Sequence, residues 1–251
     1  MNDESKSTSA GRILRLPDLV RSGICLAFPE QLGFPRWALR SRLGRRAPRQ
    51  FLDPSGATAA KDYSKEWFSK YRPQRRVRFP LFLLASIPDV DKGSLLIIGP
   101  RYESEFFLAR GLGWARAGLR GLDTFTYSTF VDLGDMHDMP FEDGSFGSVV
   151  CAWTISYSTQ PAVAAAEMIR VVRPGGYVVL AVDKVEADTE TVPEVLRGEG
   201  VRVQTLRQFD ELFVGCERVA GFEPASRGQL VVGYRKPRSV AATDEGFTSE
   251  P

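Results

Sequence analysis

Residues 134–153 read G-D-M-H-D-M-P-F-E-D-G-S-F-G-S-V-V-C-A-W, and residues 173–182 read R-P-G-G-Y-V-V-L-A-V. Each stretch holds a short Val-rich apolar run, 146–152 and 177–182, of the kind that forms a strand buried on both faces. A segment of helical spacing lies between them. Ser158 and Thr159 are placed to cap its first N–H groups, and Pro161 suits a first turn, where no donor is needed. Ala162, Ala165, Ile169 and Val172 recur at intervals of three and four, which puts them on one face. Pro174, Gly175 and Gly176 then stop the helix. This order predicts two parallel strands joined by a crossover helix.

Working outward, residues 95–98 form another short buried strand, which Gly99 turns. A helix over 103–110 follows, with Phe106, Phe107 and Arg110 spaced to pack on a sheet. Residues 119–123 and 131–133 read as the second and third strands, and 218–224 with 229–235 as a closing antiparallel pair. The predicted class is α/β, a doubly wound and mostly parallel sheet with an antiparallel final strand. A basic, irregular and partly helical segment, 1–91, precedes the main domain at 92–238. The first dozen residues and 239–251 read as disordered ends.

Composition bounds this organisation. With 251 residues, 43 % hydrophobic and 25 % charged, the chain can bury one sizeable core. The most apolar stretch, 79–87, is interrupted by Pro80 and falls short of the roughly 20 residues a membrane helix needs, so a soluble protein is expected. The opening residues are polar and include two acids, unlike a secretory signal or transit peptide. Cys25, Cys151 and Cys216 are scattered and odd in number, which fits a reducing compartment, and the cytoplasm is the expected location. His137 is the single histidine and no two cysteines stand at ligand spacing, so no metal site is expected.

Charge is distributed unevenly. Residues 1–80 carry 17 Lys or Arg against 7 Asp or Glu, whereas 81–251 carry 16 against 24. Arginines cluster at 36–49 and again at Arg72, Arg75, Arg76 and Arg78. Such runs steer phosphate-bearing or membrane-surface partners; the alternative is that they are solvated or pack on the acidic body of the same chain. Seven prolines limit helices in this front to short pieces, 36–43 and 63–71. Trp37, Trp67 and Phe68 make it too apolar for a purely disordered tail.

An acidic residue, P-F-x-D-x-S-F, an apolar strand, a helix ending in R-V-x-R-P-G-G and another apolar strand together resemble the class I S-adenosylmethionine-dependent methyltransferases of small or medium-sized acceptors. The resemblance spans residues 94–182. It implies a Rossmann-like sheet, S-adenosylmethionine as cofactor, and a leading segment, here 62–78, that caps the substrate cleft. Asp135 then matches the acid that accepts a hydrogen bond from the adenine amino group, and Met136 the neighbour that meets the ring.

In such a sheet the ligand lies beyond the carboxyl ends of the strands. Asp123, twenty-four residues past Gly99, is placed to accept from both ribose hydroxyls, or is a strand-end turn residue. Trp153 follows the fourth strand and can face the cofactor, while Tyr157 can face the acceptor. The first loop departs from the family's G-x-G-x-G: it reads Gly99-Pro100-Arg101-Tyr102-Glu103, after Ile97 instead of an acid. Arg101 could pair with the cofactor's carboxylate, and Glu103 or Glu105 with its ammonium. Alternatively, both acids simply favour the first turn of a helix and Arg101 pairs with them. No catalytic base is identified. His137 beside the adenine loop reads as structural in preference to a base. The leading function is methyl transfer to a small-molecule or glycan- or lipid-linked acceptor. A scaffold that has lost cofactor affinity and a nucleic-acid methyltransferase are the alternatives.

Overall fold

A computed structural model describes residues 50–51, 75–101, 103–126, 128–184 and 203–238. The predicted pieces at 36–43 and 63–71, Trp37, Trp67, Phe68, Cys25, the arginines of 36–49, most of the expected cap at 62–78, and both chain ends lie outside these residues.

In chain order the strands are β1 (Gln50–Phe51), β2 (Leu95–Ile98), β3 (Leu119–Asp123), β4 (Phe125–Thr126), β5 (Val131–Leu133), β6 (Phe146–Ala152), β7 (Val172–Lys184), β8 (Glu217–Phe222) and β9 (Gly228–Arg235). The helices are α1 (Arg75–Ser86), α2 (Ser104–Gly111), α3 (Pro161–Val171) and α4 (Leu206–Leu212). Seven strands form one sheet in the order β5-β3-β2-β6-β7-β9-β8, while β1 and β4 pair separately. From β5 to β7 every pairing is parallel; β9 runs against both β7 and β8. The expected doubly wound sheet with a reversed strand near its end is present. Strand order reverses between β2 and β6, which opens a crevice at their carboxyl ends.

The side-chain period of two splits each central strand between two cores. Leu96, Ile98, Val149, Cys151, Val178 and Leu180 meet α3 and α4 on one face. Leu95, Ile97, Val150, Ala152, Val179 and Ala181 meet α1 and α2 on the other. Continuous apolar runs are therefore required, because neither face reaches water. Helix α1 lies ahead of the expected domain start at residue 92, yet it packs on β6, β7 and β9 and buries Val77, Leu81 and Leu84 completely.

Three details of the crossover helix differ from expectation. Its N-cap is Gln160, without a side-chain bond; Ser158 instead accepts the Gln160 N–H one residue ahead of the helix. The buried face is Pro161, Ala164, Ala165, Met168 and Val171, so Ala162 points to solvent: the short helix docks one position round from the face read off the spacing. The helix also stops at Val171, before Pro174, and Val172 is already extended (φ −80°, ψ 134°). Pro174 has no N–H to give to the Arg170 carbonyl and forces the residue before it out of helical geometry. The R-P-G-G run is consequently a bulge inside β7, where the register jumps from Phe146↔Val172 to Ser148↔Tyr177. Gly175 (φ +79°) turns this bulge, and a Cβ on Gly176 would meet the Gly147 carbonyl oxygen at 2.5 Å.

Candidate cofactor-binding site

At the carboxyl ends of β2, β3 and β6 lies a cavity of about 380 Å³, walled among others by Gly99, Arg101, Asp123, Asp135, Met136 and Tyr157. Its size falls in the range of roughly 300–1,000 Å³ typical of small-molecule sites. Six of the residues singled out from the sequence thus meet around one space, although they come from segments up to 58 positions apart, Gly99 to Tyr157.

The first loop is shaped by its neighbour after β6. Gly99 adopts φ +63°, and a Cβ there would stand 2.0 Å from Thr154 Oγ1. Gly99 N–H donates to the Leu122 carbonyl (2.8 Å), and the Thr154 hydroxyl donates to the Ile98 carbonyl (3.1 Å). The one glycine retained in this loop is thus required by protein packing. Pro100 and Arg101 follow it on the cavity wall. Arg101 N–H donates to Glu105 Oε2 (3.2 Å).

Glu105, in the first turn of α2, is fully buried, and its Oε1 accepts no hydrogen bond among the described residues. Burial pushes its carboxyl up to about 7, against the pull of Arg76 and of the Arg101 N–H. Asp123, closing β3, is also raised to about 7; burial outweighs the hydrogen bonds from the Phe125 and Thr124 N–H groups. Two carboxyls raised to about 7 therefore lie near each other, Asp123 on the cavity wall and Glu105 bonded to the Arg101 N–H, with the Arg76 guanidinium acting on both. Such displaced acids gather at functional sites.

The loop carrying Asp135 and Met136 is held from α3. Met139 N–H donates to Glu167 Oε2 (2.7 Å). Arg170 donates to the carbonyls of Met139 (3.0 Å) and Phe141 (2.7 Å) and to the carboxylates of Asp143 (2.8 Å) and Glu167 (2.6 Å). These charge-assisted bonds hold Glu167 below its ordinary range and Arg170 above its own. The co-occurrence of P-F-E-D and an arginine on the next helix is thereby explained. His137 lines the same cavity, and its ring lies between Asp135 Oδ1 (2.6 Å) and Ser158 Oγ (2.7 Å).

Three residues expected at the site, Glu103, Glu105 and Trp153, are not among those walling the cavity. Glu103 turns its carboxylate to the Ser128 hydroxyl (2.6 Å), because it precedes the first turn of α2 and faces the loop before β5. Trp153 sits in a left-handed conformation (φ +67°), beneath the Arg76 guanidinium at 5.2 Å from the ring centre. Arg76, Thr124, Phe125 and Thr154 line the cavity without having been singled out for it. Thr124 and Thr154 follow strand ends, so the rule of ligands at carboxyl ends could have found them. Arg76 lies within 62–78, the segment that the family resemblance assigns to capping the cleft, but no local pattern singles it out and the docking of α1 brings it there. Among the described residues no group of His, Cys, Asp or Glu could hold a metal ion, and no helix is long and apolar enough to cross a membrane.

Residues 114–180 match the methyltransferase domain family. One chain in the complex of the Haloferax volcanii Trm112 methyltransferase activator with its candidate methyltransferase superposes with a TM-score of 0.51 at 19 % identity, covering 75 % of this chain and 98 % of that one. A candidate sarcosine dimethylglycine methyltransferase from Galdieria sulphuraria does so with a TM-score of 0.52 at 14 % identity, covering 66 % and 86 %. No curated protein matches the chain. The fold is the one these methyltransferase structures share, and residues 114–180 match a methyltransferase domain. S-adenosylmethionine is the cofactor of the class.

Proposed function

We propose that the protein transfers a methyl group from S-adenosylmethionine to a small-molecule or glycan- or lipid-linked acceptor. The observation that carries this reading is the meeting of Asp123 and Asp135 on one cavity at the carboxyl ends of the strands. The cofactor fits this set of residues chemically. Asp123 accepts from the ribose hydroxyls, Asp135 and Met136 receive the adenine, and the guanidinium of Arg101 suits the carboxylate of the amino-acid end. Glu105 supports Arg101 by accepting its backbone N–H. Glu103 acts on the Ser128 loop, and Trp153 acts through Arg76.

The cofactor supplies a methyl group on a sulfonium, a leaving group already activated. The chain's own residues therefore need chiefly to orient donor and acceptor and to exclude water, and orientation alone supplies a large share of the rate. Tyr157, 46 % exposed at the rim, is the residue assigned to the acceptor.

Calorimetric titration with S-adenosylhomocysteine tests the reading. Saturable binding in about the 1 μM–1 mM range usual for enzyme ligands is expected, lost in Asp123→Ala and Asp135→Ala. A flat trace at millimolar ligand would instead favour a scaffold in which the Gly99-Pro100-Arg101 loop has closed the site.

A further inference from the structure

His137 makes a chain of hydrogen bonds that methyl transfer does not require. A carboxylate can only accept, so the 2.6 Å contact to Asp135 Oδ1 places the ring proton on Nδ1. In the neutral ring Nε2 is then the acceptor for the Ser158 hydroxyl at 2.7 Å. Ser158 Oγ accepts in turn from the Gln160 N–H at 3.0 Å, and Ser158 is fully buried at the entrance to α3. Both ring nitrogens of His137 and the Ser158 hydroxyl thus have protein partners, and the line ends at the start of α3. Asp135 Oδ1 also accepts the His137 backbone N–H (2.9 Å). Two donors from one residue thus hold one carboxylate oxygen, while Oδ2 makes no hydrogen bond among the described residues and the side chain borders the cavity.

We propose that His137, backed by Ser158, is a positioning residue that fixes Asp135 so that its second oxygen selects a ligand carrying an exocyclic amino group, the 6-amino group of adenine, over a 6-oxo purine. The inference rests on the nucleoside reading of the cavity. His137 is neither base nor nucleophile here: both ring nitrogens are spent on protein partners, and Ser158 is shut off from solvent. Selection follows because a fixed acceptor matches an N–H donor, whereas a 6-oxo group presents it with a second acceptor and no proton to share. A site built for a hydrogen bond rejects a ligand that cannot complete it, whereas a freely rotating carboxylate would turn away and tolerate both.

The test compares the dissociation constants of S-adenosylhomocysteine and S-inosylhomocysteine for the full chain and its variants. Wild type should prefer the adenosyl ligand by at least about tenfold, the factor that one hydrogen bond confers. His137→Ala should cut that preference by about threefold or more. His137→Asn, which keeps a donor near the Nδ1 position, should restore most of it. A merely structural role would weaken both ligands in proportion and leave the ratio unmoved, and that result overturns the proposal while leaving the cofactor reading intact. If wild type binds neither ligand, the cofactor reading itself falls, and the selection with it. Because the chain has a single histidine, ¹⁵N chemical shifts at pH 8 report its tautomer without assignment or mutation. A protonated Nδ1 and a bare Nε2 are expected; the opposite tautomer would refute the arrangement even if every variant misfolds.

Discussion

Glu105→Gln gives the sharpest physical test of the site. The Glu105 carboxyl is fully buried and moves from an ordinary 4.5 to about 7 because burial penalises its charge. At about 1.4 kcal/mol per unit, that displacement costs the fold about 3 kcal/mol once the carboxyl is ionised. The native state keeps its proton up to about pH 7, while the unfolded chain releases it near 4.5. Between these limits the folded protein binds more protons, so stability falls as pH rises and levels off above 7. From pH 5 to pH 8 this group alone should remove about 2 kcal/mol. Glutamine keeps the oxygen that accepts the Arg101 N–H and abolishes the titration. Its amide brings new donors to a place where Oε1 has no partner among the described residues, a cost of about 1–3 kcal/mol that does not vary with pH. Urea unfolding of both proteins at pH 5 and pH 8 separates the two effects. Asp123 drifts in the same direction in both proteins; its charge also raises Glu105, and that coupling belongs to the difference measured. The variant should gain about 2 kcal/mol on wild type between the two pH values; parallel profiles would refute the buried-acid account of the first loop.

Binding of S-adenosylhomocysteine should tighten as pH rises toward 7, by up to about tenfold per unit, since only the ionised Asp123 accepts from both ribose hydroxyls; Asp123→Asn should flatten the profile, and a wild-type profile already flat from pH 5 to 8 would count against the assignment. Gly99→Ala should destabilise the chain by more than about 1 kcal/mol in thermal or urea unfolding. Part of that loss should return with Thr154→Ala, which removes the atoms at 2.0 and 2.7 Å from the new Cβ. Arg170→Met should release the 139–143 loop, lowering the melting temperature and weakening cofactor binding together, because two backbone carbonyls and two carboxylates lose their donor. Leu81→Ala in α1 should cost about 2–5 kcal/mol, the expectation for a side chain with no exposed surface; a change under about 0.5 kcal/mol would mean that α1 is not part of the core.

Local sequence determines more of this protein's sheet than of its site. Apolar runs bounded by turn residues mark β2 and β6, which are buried along their whole length; the shorter β3 and β5 toward the sheet edge are readable too, although Arg120 and Asp132 interrupt them and pair across the two strands. Asp123, Asp135, Met136 and Tyr157 could be placed near a ligand for a related reason: in a doubly wound sheet, the residue after each strand is carried to the same edge. Tertiary structure decided the rest. The buried face of α3 is set by how a short helix seats on the sheet, and several faces of an alanine-rich helix satisfy spacing equally well. Glu105 reads as a partner of the cofactor's ammonium or a favoured first-turn acid, and only its complete burial in the fold turns a favourable charge into a costly one. Arg76 reaches the cavity, and His137 is locked between Asp135 and Ser158, only through contacts between segments distant along the chain. Such contacts depend on packing in three dimensions, which no local pattern of residues encodes.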